Sequence, residues 1–127
     1  MKRILTAFAF VAALAGPVPS AFAQAAVYPP EYYPNLVQCY VFYEQDRIQA
    51  DARGDRARSA RRVAQNAGIM QLLAASGQAL GKTAADVEAD LRAGINAYFN
   101  GLAAGTINPE DLPKSVAVCE AWLQPAP

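Results

Sequence analysis

The chain contains no histidine in its 127 residues. That absence excludes Ser-His-Asp and Cys-His pairings of nucleophile and base, and with them histidine-containing zinc and haem sites. Cysteine is nearly as scarce. Cys39 and Cys119 are the only two, too few for an iron–sulfur cluster or a four-cysteine zinc site. No Gly-x-Gly-x-x-Gly or Walker sequence offers a phosphate cradle. An excess of one charge sign is also missing, since eleven basic residues meet eleven acidic ones. Such a chain is not a generic nucleic-acid binder. No cofactor and no metal is expected from this inventory.

What is present begins at the N-terminus. Lys2 and Arg3 precede an apolar run from Ile4 to Ala15, and "GPVPSAFA" follows, with Ala21 and Ala23 meeting the small-x-small rule of signal peptidase. The run falls well short of the roughly 18 apolar residues of a membrane span. Residues 1–23 are therefore expected to be a cleaved secretory signal peptide, cut after Ala23, with Ala25 or Ala26 as alternatives. No cysteine stands at the cleavage site to accept a lipid. Removal of Lys2 and Arg3 leaves nine basic residues against eleven acidic ones in a mature chain of about 104 residues, the size of one domain. No second apolar run of spanning length follows, so no stable membrane insertion is expected after cleavage. Alanine richness and the preference for arginine over lysine give the composition a bacterial character, and the expected location is periplasmic or secreted.

Both cysteines lie in the exported part. In an oxidising compartment the default is one intramolecular disulfide between Cys39 and Cys119. A redox-active pair usually sits close together beside an activating cation; here Cys39 lies between Gln38 and Tyr40, and Cys119 between Val118 and Glu120. The structural bond is the expectation.

The pattern along the chain predicts an all-α fold, a small bundle of about four helices preceded by an extended arm rich in proline and tyrosine. The arm covers 24–34, the helical domain 35–123 and a frayed tail 124–127. A first helix is expected from Asn35 to Ala52, with Leu36, Tyr40, Tyr43 and Arg47 on its inner face. A second should span Arg56 to Ser76 and face inward through Ala60, Val63, Ala64, Ala67, Met70 and Ala74, with Ile69, Leu72 and Leu73 broadening that face and Gly77 as its stop. Thr83 and Asp86 resemble a capping box that opens a third helix. Its stripe is Val87, Leu91, Ile95, Tyr98 and Leu102, and Gly105 ends it. The last helix should run from Pro113 to Leu123, with Leu112, Val116 and Cys119 facing inward.

Three groups of residues are candidates for function. In "RGDRARSARR", Gly54 reads as a left-handed stop and Asp55 as an N-cap, although one continuous helix is the alternative. That junction leaves Arg56, Arg58, Arg61 and Arg62 unexplained. Arg58, Arg61 and Arg62 share a helical face, and Arg56 and Arg58 occupy a first turn where the helix dipole disfavours positive charge. They read first as a solvated face and second as a docking surface for an anionic partner. Tyr28, Tyr32 and Tyr33 lie over the core or meet a partner. The carboxylates Asp86, Glu88 and Asp90 are the acid–base candidates, but their place at a helix start is sufficient reason for them. The expected function is a non-enzymatic periplasmic interaction module binding a protein or an anionic envelope partner. The alternatives are a small binding protein for an apolar ligand and a carboxylate-dependent hydrolase of envelope material.

Overall fold

The computed structural model describes residues 28–123. The expected signal peptide and its cleavage site, the first residues of the arm and the tail lie outside that range. Among the described residues there are four α-helices and no strand: α1 (Tyr33–Ala52), α2 (Arg56–Ala79), α3 (Ala84–Ala104) and α4 (Leu112–Trp122). Single 3-10 turns, Pro30–Tyr32 and Pro109–Asp111, lead into α1 and α4.

Helix α1 is the hub. It packs along α2 over most of its length and also touches α3 and α4. A helix covered on several sides needs apolar residues around its circumference, and α1 buries Leu36, Cys39, Val41, Tyr43 and Ala50. Its expected stripe holds at Leu36 and Tyr43. Arg47 lies half-buried at the rim, paired with Glu44 and with Asp51 at 2.7 Å. α3 crosses α1 closely at Gly94, where a Cβ would lie 3.0 Å from Val41 Cγ2 and 3.2 Å from Val37 Cγ1. The Cys39–Cys119 disulfide ties α1 to α4.

The start and stop signals operate as local chemistry requires. Gly54 takes a left-handed φ of 72°, and the Asp55 side chain accepts from the Arg58 backbone N–H at 3.1 Å. This breaks the chain into two helices and removes the continuous-helix alternative. Thr83 and Asp86 form a reciprocal capping box, and Gly105 ends α3 with φ 75°. α3 buries Val87, Leu91 and Tyr98, with Ile95 and Leu102 against the same core.

Three expectations are corrected. The arm is not extended up to Pro34: Pro30–Tyr32 coils into a 3-10 turn, and Tyr33 and Pro34 already belong to α1. Proline in a first turn has a preset φ and no N–H to leave unpaired, so these prolines start helical structure. Gly77 does not stop α2. It is buried inside the helix, where a Cβ would lie 3.1 Å from Val87 Cγ2, and the left-handed exit falls to Gly81 at φ 75°.

The third correction concerns which way α2 faces. Ala60, Val63, Ala64, Ala67, Met70 and Ala74 all point to solvent, and the buried residues are Arg62, Asn66, Ile69, Leu72, Leu73, Ser76 and Gly77. Ile69, Leu72 and Leu73 each remove more apolar surface from water on burial than an alanine does, although this facing leaves Val63 and Met70 outside. Polar anchoring selects the same face, because Arg62 reaches a buried carboxylate and Asn66 Nδ2 donates to the Tyr40 carbonyl at 3.4 Å.

Candidate functional site

The arginines divide into two sets. Asp46 on α1 is 0 % exposed. Arg62 Nε donates to Asp46 Oδ2 at 2.6 Å, Arg58 Nε donates to the same oxygen at 2.8 Å, and Arg58 Nη2 pairs with Oδ1. Arg62 also reaches Glu120 on α4 at 3.0 Å, where Gln65 donates too, and its guanidinium lies 5.3 Å from the centre of the Tyr43 ring. Desolvation pushes the Asp46 carboxyl up, but the hydrogen bonds and charges of Arg58 and Arg62 outweigh it and hold its pKa below the usual carboxylate range. Glu120 follows the same pattern: burial raises it, and Gln65 and Arg62 bring it net lower. Two cations and two carboxylates balance within one internal cluster that joins α1, α2 and α4. Arg58 thus serves the interior. Arg56 and Arg61 remain exposed, as does Arg53, and none of the three has an ion-pair partner among the described residues.

The three tyrosines also separate. Tyr28 is buried, donates its hydroxyl to the Trp122 carbonyl at 2.9 Å and meets the Trp122 ring edge-on at 4.9 Å. Tyr32 packs edge-on against the same ring at 5.9 Å and stays exposed. Tyr33 is buried beneath Lys82 and donates to Asp90 Oδ2 at 2.8 Å, while Lys82 Nζ lies 2.9 Å from the same oxygen. The hydrogen bonds from Lys82 and Tyr33 hold the Asp90 carboxyl below its ordinary pKa. Of the other two carboxylates on α3, Asp86 caps the helix and Glu88 pairs with Arg92 at 2.9 Å.

Single exposed apolar side chains such as Val118 and Phe99 lie elsewhere; a longer run occupies the outer face of α2. Val63 is 55 % exposed and Met70 39 %, and Ala60, Ala64, Ala67 and Ala74 lie open beside them. Between Arg56 and Ala79 the helix holds no acidic residue, so the stripe has an apolar centre and a basic N-terminal end at Arg56, with Arg53 just across the turn; Arg61 lies on the flank toward α4, where its charge acts on Glu120. At its other end Met70, Ala74 and Gln78 form one wall of a shallow groove of about 300 Å³, opposite Thr83, Ala84 and Val87 of the α3 start. Exposed apolar residues contiguous along a helix mark docking surfaces more often than scattered ones do. The periodic signal was plain in the sequence, but there it pointed inward. Asp46, the centre of the buried cluster, escaped sequence reasoning; its only signal is its place on the Cys39, Tyr43, Ala50 spacing of the buried face.

A second groove, of about 590 Å³, runs between the arm and the α2–α3 turn, walled by Pro30, Tyr33, Pro34, Val37 and Leu80, with Glu31, Lys82 and Asp90 at its edges. Among the described residues no group of three or more Cys, Asp or Glu side chains is placed to hold a metal ion, and no helix is long and apolar enough to cross a membrane. No family model, curated protein or solved structure matches the chain.

Proposed function

We propose that the protein is an exported, non-enzymatic interaction module that docks a protein partner through the outer face of α2. The supporting observation is the exposure of Val63 and Met70 within an unbroken apolar stripe that ends in Arg56, with Arg53 across the turn. Apolar contact at the centre supplies affinity, and the basic end favours a partner surface with negative charge. Arg58 and Arg62 are not part of this surface, because their charges are used inside the fold. Export rests on the N-terminal sequence and agrees with the disulfide, which persists in oxidising compartments. The test places a photo-cross-linking amino acid at Ala67, or at the exposed Ala93 of α3, in exporting cells. Position 67 is expected to give adducts that diminish when Arg53 and Arg56 are replaced by Glu. Equal labelling from both positions would discard this surface.

A second reading, an apolar-ligand binding protein, draws on the groove beside Tyr33 and Pro34, whose volume falls within the range of small-molecule sites. A lipid or other apolar compound that co-purifies with the mature protein and is displaced by Val37→Trp would favour it. Hydrolase chemistry in that groove would need a carboxyl that holds a proton near neutrality, and Asp90, bound by Lys82 and Tyr33, is shifted the other way.

A further inference from the structure

We infer that the partner of the α2 face is a second copy of this chain, bound with the two α2 helices antiparallel about an axis at Ala67. The inference rests on the docking reading above and names its occupant.

Three features of the surface favour a self-complementary pairing. The first is symmetry of the side chains along the stripe. Ala60, Val63, Ala67, Met70 and Ala74 recur at alternating steps of three and four residues, the spacing by which one helix seats on another. With Ala67 on the axis, Ala60 lies across from Ala74 of the second copy, and the bulkier Val63 falls near its Met70. Alanine at the crossing point permits close approach of the two backbones. The stripe from Ala60 to Ala74 is about 21 Å long at 1.5 Å per residue, enough for a modest interface.

Charge is the second feature, and it sets the direction. The basic end carries exposed Arg53 and Arg56, while the opposite end holds the carbonyl terminus of α2 and, beside Thr83, the exposed carboxylate of Asp86. Lys82, also at that end, is neutralised by Asp90. Antiparallel packing places each basic end against the other copy's Asp86 and helix C-terminus, both favourable, and does so twice by symmetry. Parallel packing would instead set Arg56 against Arg56, with only the capping carboxylate of Asp55 beside each to offset the repulsion. The third feature is the groove between Met70, Ala74 and Val87, which continues the stripe where the second copy's Ala60 and Val63 would arrive.

The experiment is sedimentation velocity on the disulfide-intact mature chain from about 1 to 500 µM. A reversible dimer with a dissociation constant in the micromolar range is expected for so small an interface. Ala67→Glu brings two carboxylates together at the axis and should weaken the dimer roughly 100-fold, since juxtaposed like charges cost several kcal/mol. Ala93→Glu, on the exposed side of α3, should leave it intact. Orientation is read separately by mild oxidation: a mixture of Ala60→Cys and Ala74→Cys chains should cross-link readily, and Ala60→Cys chains alone should not. A monomer throughout the concentration range, a dimer indifferent to Ala67→Glu, or cross-linking of Ala60→Cys alone would each overturn the inference. If the protein stays monomeric while position 67 still cross-links to a different protein in cells, the docking face stands and the second copy is the wrong occupant. If position 67 labels nothing, both fall.

Discussion

Asp46 has no neutral substitute that leaves the core at rest, because two arginines are built around its charge. Arg62 is itself buried, and removal of its carboxylate would strand a cation away from water. Breaking one partner out of a buried pair costs about 3–5 kcal/mol, so Asp46→Asn should lose an amount of that order in urea denaturation. The same residue should shape the acid limb of stability. A carboxyl whose pKa is lower folded than unfolded binds fewer protons in the native state, so its contribution is complete above the unfolded value near 4 and fades as pH falls through the folded value. Buried tyrosines shape the opposite limb: Tyr33 is pushed up furthest, by burial and its hydrogen bond to Asp90, and Tyr43 follows. Desolvation, with the Glu120 charge assisting, pushes its hydroxyl up to about 12. Its contribution is therefore complete below the unfolded value near 10 and fades as pH rises toward the folded one. Stability of the wild type should form a plateau between these limbs. In Asp46→Asn the acid limb should become shallower and the alkaline limb keep its slope; an unchanged acid limb would assign it to other carboxylates.

At the level of elements, the number of helices and most of their ends were legible because caps are local. Thr83 and Asp86 lie three residues apart, and the Gly54–Asp55 pair stops one helix and starts the next within two residues. The facing of α2 was not legible in the same way. It is decided by Arg62 meeting Asp46 sixteen residues earlier and Glu120 fifty-eight residues later, contacts that no window of α2 contains. Periodicity alone ranked the alanine-rich stripe as core, whereas the fold buries the face with larger side chains and accepts three polar residues along with them. The exposed stripe of α2 was therefore visible as a pattern and misplaced as a surface, and the arginine face proved to be half interior. Two glycines test the local side of this account. Gly68 lies exposed in the middle of α2 at ordinary helical φ, with nothing within 4 Å of an added Cβ, so Gly68→Ala should stabilise the protein by about 1 kcal/mol. Gly54 has equal space but a left-handed backbone, and Gly54→Ala should destabilise it by about 1–2 kcal/mol. Thermal melts of the two variants should move in opposite directions; a gain at Gly54 would mean that the turn tolerates another backbone conformation.

Over the whole molecule, the peripheral element is α4, eleven residues long and packed chiefly on α1. So short a helix has little stability of its own. Leu112 and Val116 bury part of one face, Arg62 reaches Glu120, and Tyr28 holds the carbonyl of Trp122. The disulfide supplements these contacts by closing a loop of 80 residues between α1 and α4. On the chain-entropy account, a loop of that length contributes roughly 4.5 kcal/mol, a large share of the stability of a domain this size. The bond also gives the expected export a physical role, since in a reducing compartment that contribution would be withheld. The double variant Cys39→Ser with Cys119→Ser is therefore expected to lose about 4 kcal/mol in guanidinium denaturation. Trp122 is the only tryptophan and lies at the end of α4, so its fluorescence reads the detachment of that helix while circular dichroism reads the helical content as a whole. With the disulfide present the two transitions should coincide. Without it the fluorescence change should come at lower denaturant, as α4 leaves and the α1–α2 pair persists. Coincident transitions in the double variant, at undiminished midpoint, would place the anchoring of α4 in its apolar and ionic contacts instead of the covalent bond.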